Sequence, residues 1–121
     1  MPLTVISRVE DNVAILELTG SLTLGPTLNA LRETTRQVLS TNKILGIILQ
    51  MAGVAVTDSS GLGELTVVYT LATKRKCPIR LVMVSPNLKK MLEMTRIDEL
   101  LPTSADIPTA KAELKRKSGN S

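Results

Sequence analysis

The sequence predicts an α/β domain: a small mixed sheet of four to five strands packed against about four helices. Three observations carry this. Residues 3–19 read as a β-hairpin. Two short apolar runs, Ile44 to Met51 and Ile79 to Val84, are too short for independent helices and read as strands covered on both faces. Stretches with apolar residues at helical spacing lie between and after them. Strands that alternate with helices imply crossovers and a parallel portion of sheet, and the opening hairpin adds an antiparallel pair. A chain of 121 residues fits one domain spanning 1–121.

Each element has its own signal. Thr4 to Val9 is β-prone, Asp11-Asn12 supplies turn chemistry, and Val13 to Leu18 resumes as the second strand. Gly20 breaks that strand and residues 21–25 form a loop. Pro26 suits the first position of a helix. Leu28, Leu31, Thr35, Val38 and Leu39 then form one stripe, with Arg32, Glu33 and Arg36 opposite, until Asn42 and Lys43 end the element. After the run 44–51 comes a loop, 52–57. From Leu62 a stripe of Leu65, Val68, Tyr69 and Ala72 predicts a helix that ends in Lys74-Arg75-Lys76, cations at the negative dipole end. Pro78 opens the strand 79–84, and Pro86 starts a short helix through Met94 with Leu88, Met91 and Leu92 inward. Residues 108–117 read as a terminal amphipathic helix, fraying into a disordered tail at 118–121.

Composition excludes several kinds of chemistry. The chain has no His, so a Ser-His-Asp or Cys-His nucleophile pair and a His-ligated metal are impossible. One Cys, Cys77, builds neither an intrachain disulfide nor a thiolate cluster, and it reads as structural. No cofactor or metal is expected. The net charge is +4, yet four of the fifteen cations and one of the eleven acids fall in 111–117. That segment carries +3 and the other 114 residues only +1. A nearly neutral body with a basic end, lacking Phe and Trp for base stacking, is a poor nucleic-acid binder. Met1-Pro2-Leu3-Thr4 has no signal-peptide pattern, and no apolar run nears the roughly 20 residues of a membrane span. The expectation is a soluble cytoplasmic protein with no membrane partner.

The stretch Thr57-Asp58-Ser59-Ser60-Gly61-Leu62-Gly63 is the most informative, because it joins a buried strand to an amphipathic helix. Ligands of open α/β sheets sit beyond the carboxyl ends of strands. Helix-start amides face outward and favour anions there, so a serine in this position is prepared to carry a phosphate. Capping offers a plainer explanation: Asp58 or Ser60 could satisfy the first helical donors, and the glycines could relieve a tight turn. Gly63 does not complete a capping box with Ser60. Two adjacent serines and two glycines exceed what one cap requires.

The order of these residues resembles the STAS domain of bacterial anti-sigma-factor antagonists. The resemblance is carried by Leu18-Thr19-Gly20-Ser21-Leu22, by Ile44 to Met51, by Asp58-Ser59-Ser60-Gly61-Leu62-Gly63, and by Leu81 to Pro86 followed by Leu88. It extends from about Thr4 to Leu114. It implies a non-enzymatic, phosphorylatable switch. The serine after the Asp, here Ser59, is phosphorylated by the anti-sigma factor, itself a serine kinase; Ser60 is the second choice. The unphosphorylated antagonist binds the anti-sigma factor and frees the sigma factor, and a serine phosphatase resets the cycle. The implied contact surface comprises Thr23, Thr57, Asp58, Ser59, Ser60, Gly61, Leu62 and Ser85. Family members often carry an acidic residue where this chain has Thr23. Ser85 also reads simply as a turn residue before Pro86.

Three other readings compete. A two-component receiver would use Asp58 as phosphoacceptor, but it needs an acidic pair after the first strand for Mg²⁺, which the chain lacks. A hydrolase elbow is missing its first Gly, since Thr57 stands there, and no Gly-rich phosphate loop ends in Gly-Lys-[Ser/Thr]. A STAS module that senses a nucleotide or small ligand, outside any sigma-factor circuit, shares the same helix-start geometry.

Overall fold

In the computed structural model, which describes residues 1–41 and 43–119, five strands form one sheet in the order β1-β2-β3-β4-β5. β1 (Thr4–Glu10) and β2 (Val13–Leu22) are antiparallel; β3 (Gly46–Thr57), β4 (Ile79–Val82) and β5 (Thr103–Ser104) run parallel to β2. The helices are α1 (Ala30–Thr41), α2 (Ser59–Lys74), α3 (Pro86–Met94) and α4 (Ile107–Gly119). The mixed α/β sheet predicted from sequence is therefore present, with its antiparallel hairpin and parallel remainder.

The hairpin forms because Asp11 and Asn12 both adopt left-handed backbone (φ 55° and 64°), the requirement of a two-residue type I′ turn. α1, α2 and α3 cover one face of the sheet. Leu31 and Val38 of α1, Leu65 and Val68 of α2, and Leu88 and Leu92 of α3 pack with Leu16, Leu18, Leu49 and Leu81 from the strands. The other face is smaller. Val13, Ile15, Ile48 and Val82 are covered there by Ala110 and Leu114 of α4. A Cβ on Gly46 would stand 2.9 Å from the Leu114 side chain, so this glycine lets α4 sit close to β3.

Several boundaries differ from the sequence reading, each for a physical reason. β3 continues through 52–57, read as a loop, because β2 extends alongside it to Leu22: Ser21 pairs with Val56 and Leu22 with Thr57. Two register shifts in this stretch, and Gly53, whose Cβ would meet the Leu18 carbonyl oxygen at 2.7 Å, let the strands stay in contact. α1 starts at Ala30, not Pro26, since tight bonds from Leu28 N to Gly25 O and from Ala30 N to Thr27 O turn residues 25–30 first. The helix ends at Thr41, and Lys43 is outside it as expected; Asn42 lies outside the described residues. α2 begins at Ser59, three residues before Leu62. Met83 (φ 58°) ends β4 before Val84.

The C-terminal helix packs on the sheet through Ala110 and Leu114, and two of its lysines reach the hairpin turn while Lys115 and Arg116 stay exposed. Lys111 Nζ donates to Glu10 (2.8 Å) and Asp11 (3.4 Å), and Lys115 Nζ lies 3.6 Å from Asp11. α4 continues to Gly119, past the expected start of the tail at 118; residues 120–121 lie outside the described residues.

Candidate functional site

The site lies at the carboxyl ends of β2 and β3, where α2 begins. Asp58 is the N-cap, with extended backbone (φ −115°, ψ −174°). Its Oδ1 accepts from the Gly61 amide at 2.9 Å, and its Oδ2 accepts from the Leu24 amide at 3.1 Å. Its own amide donates to Leu22 O at 3.3 Å, and its carbonyl receives the Leu62 amide at 3.0 Å. One residue thus ties the β2–α1 loop to the helix start. The Gly61 and Leu24 amides, in that order, hold the Asp58 carboxyl below its ordinary pKa.

Gly61 is required by space: a Cβ there would lie 1.9 Å from the Leu22 carbonyl oxygen. Gly63 is different. Nothing lies within 4 Å of its would-be Cβ, and it is exposed. Ser59 is exposed and Ser60 half-buried, and neither hydroxyl has a hydrogen-bond partner among the described residues. Helical spacing puts Ser59 in line with open Gly63, and Ser60 in line with Glu64. Glu64 is buried and gripped by Arg32 of α1, Nε to Oε2 at 2.7 Å and Nη2 to Oε1 at 2.6 Å. The two serines therefore face different surroundings.

The structure brings most of the predicted residues together. Thr57 ends β3, Thr23 adjoins Leu24 in the tethered loop, and Asp58, Ser59 and Ser60 follow. Gly61 and Leu62 are buried and serve to seat the helix rather than to face outward. Ser85 caps α3, its Oγ accepting from the Leu88 amide at 3.1 Å. It also lines, with Val56, Thr57 and Met91, a shallow depression of about 80 Å³ beside the site. Sequence reasoning missed Leu24 and Val56, which are 78% and 51% exposed and stand on the two segments that meet Asp58, the β2–α1 loop and the end of β3. Both stand in segments read as loops, where periodicity gives no facing. The Arg32–Glu64 clamp carries no local signal, because Arg32 lies opposite the apolar stripe of α1 and its partner stands on the next helix.

A family model for the STAS domain matches residues 4–110, and the chain belongs to that family. Among solved structures it is similar to a candidate anti-sigma factor antagonist from Thermotoga maritima (TM-score 0.76, 21% identity, covering 92% of this chain and 94% of that one). It is similar as well to a sulfate transporter family protein from Wolinella succinogenes (TM-score 0.72, 24% identity, 94% and 93% covered). A third is the Bacillus cell fate determinant SpoIIAA in its phosphorylated form (TM-score 0.65, 15% identity, 94% and 97% covered). At these identities the likeness shows a shared fold. No curated protein matches the chain by sequence.

Proposed function

We propose that this STAS domain is an anti-sigma-factor antagonist, a cytoplasmic, non-enzymatic switch in bacterial transcription that is turned off by phosphorylation of Ser59. The observation that carries the reading is the exposed Ser59 hydroxyl, without a partner among the described residues, at the start of α2 next to Asp58, whose carboxylate also holds the loop that bears exposed Leu24. A chain without histidine has no imidazole base for activating that hydroxyl; a partner kinase supplies the base and the phosphoryl group. Unphosphorylated, the surface offers apolar contacts and small hydroxyls to an anti-sigma factor. Phosphate would add about −1.5 to −2 charge next to the Asp58 carboxylate. Asp58 already occupies the Gly61 amide, so the helix start has few donors left for the new charge. A partner patch that is apolar or acidic would then face a poorly compensated dianion. A serine phosphatase would restore binding. The absence of any helix among the described residues long and apolar enough to cross a membrane is compatible with this.

The test is phosphorylation by the serine-kinase anti-sigma factor and ATP, with the site mapped by mass spectrometry and binding compared for Ser59→Ala and Ser59→Asp. No phosphate on Ser59, together with equal binding by the two variants, sinks the reading. The likeness to a sulfate transporter family protein favours one other reading, a STAS module that senses a nucleotide or small ligand at the same helix start. Calorimetry against nucleotides, set beside anti-sigma-factor binding, separates the two.

A further inference from the structure

We propose that two copies of this chain associate weakly through β1, edge to edge and antiparallel, about a two-fold axis at Ser7. β1 is one edge of the sheet and seven residues long, whereas the opposite edge, β5, has two. Proteins usually blunt such an edge with a proline, a bulge or an inward charge. β1 contains no proline, and its register with β2 is unbroken through all its residues. Ile6 and Val9 on it are 69% and 42% exposed.

The turn decides which backbone groups are free. In a type I′ turn over Asp11-Asn12, the i to i+3 bond joins Glu10 to Val13. Hydrogen-bonded and non-bonded pairs alternate along an antiparallel ladder. Arg8, Ile6 and Thr4 therefore bond to β2, while Val5, Ser7 and Val9 direct their N–H and C=O groups outward. These three positions are symmetric about Ser7. A two-fold axis there pairs Ser7 with Ser7 of the second copy, and Val5 with Val9 of the second copy. Every outward donor and acceptor on both strands then finds a partner, and any other register leaves some unpaired.

The charges agree with this register. Arg8 meets Ile6 of the second copy and Glu10 meets Thr4, so no like charges stand opposite. The two Arg8 residues are diagonal neighbours, each already bonded to Glu10 and Glu17 of its own chain. Since Ile6 pairs with Glu17, the row from Arg8 continues through Ile6 to Glu17 of the second copy. Two strand spacings, about 9.6 Å, separate them, which a long cation and a long anion span together. The contact is a strip about 24 Å long and about one sheet thickness, ~10 Å, deep. That is far below the roughly 800 Å² per partner of a stable interface, so the association belongs to the weak class. It leaves the carboxyl end of β3, and with it Ser59, uncovered.

The test uses the full chain. Sedimentation equilibrium from about 10 µM to about 1 mM should show a monomer–dimer equilibrium with a dissociation constant on the order of 100 µM. Amide hydrogen exchange on the unaltered chain should slow with concentration at Val5, Ser7 and Val9, and not at Thr4, Ile6 or Arg8. Ser7→Pro removes the central outward donor, which β2 does not use, and should weaken the dimer at least about tenfold with its thermal midpoint near that of the parent. A chain that stays monomeric throughout, including one that captures only a foreign strand, overturns the proposal. So does a dimer whose concentration-dependent protection lies elsewhere.

Discussion

The Asp58 carboxylate accepts the Leu24 amide at 3.1 Å while its other oxygen caps α2 through Gly61. The loop after β2 and the helix after β3 are thereby fastened by one side chain. Asp58→Ala should lower the thermal midpoint by a few degrees, the usual effect of losing a strong N-cap. The effect should depend on pH with a definite sign. The folded-state pKa is held below the unfolded value of about 3.9, so the carboxylate stabilises the fold fully above that value. Its contribution is lost as pH falls through the lower, folded-state pKa. Urea titrations of parent and variant should therefore differ at pH 7 and converge in strong acid; a gap that persists unchanged at low pH contradicts the assignment.

The two glycines of the motif predict opposite outcomes for the same substitution. Gly61→Ala would place a methyl 1.9 Å from the Leu22 carbonyl oxygen and should destabilise by more than about 2 kcal/mol, since the helix start must lift off β2. Gly63→Ala meets nothing within 4 Å and should stabilise by about 0.5–1 kcal/mol through helix propensity. Chemical denaturation of both variants decides the matter.

Leu114 predicts that α4 belongs to the folding unit. It is fully buried against Gly46 and packs with Val13, Ile15, Ile48 and Val82. Leu114→Ala should cost about 2–5 kcal/mol, the range for a large-to-small change in a core. A cost near zero in urea denaturation would make α4 an appendage.

How much of this was legible in the sequence depends on what each residue reports locally. Asp11-Asn12 announces its own turn, and the Ile-rich runs announce covered strands, so the hairpin and the parallel remainder could be read; the two-residue β5 carries no pattern of its own. Asp58 could be read as a cap because capping is local chemistry. Residues 52–57 could not be read as strand: Ala52, Gly53 and Ala55 are small, lack alternation, and extend only because β2 does. Arg32 and Glu64 stand 32 residues apart, and nothing local ties a charge on one helix to a buried acid on the next. α4 offered too few apolar residues, chiefly Ala110 and Leu114, to reveal that it closes the second face of the sheet.

Cys77 gives a prediction about reactivity. Burial pushes its thiol up to about 11, so at pH 7 about one molecule in ten thousand carries the thiolate. Alkylation by iodoacetamide should be negligible in the folded protein and become rapid in urea, tracking the unfolding transition. Fast labelling of the folded chain at neutral pH would show that the packing over Cys77 opens locally.

The two serines differ in the direction they face, and that difference selects the phosphoacceptor. Ser59 aligns with exposed Gly63, so a phosphate there extends into solvent over an open turn of helix. Ser60 aligns with Glu64, whose buried carboxylate depends on Arg32. A phosphate on Ser60 would lie near that pair and compete for Arg32, leaving a buried carboxylate without its counter-ion. With the serine-kinase partner and ATP, phosphate should appear on Ser59 alone. Ser59→Ala should abolish it and Ser60→Ala should leave it. Ser59→Asp should weaken partner binding by roughly 5–150-fold, the span of an ordinary coupling free energy. Phosphate mapped chiefly to Ser60 would reverse the assignment and require that the Arg32–Glu64 clamp open to receive it.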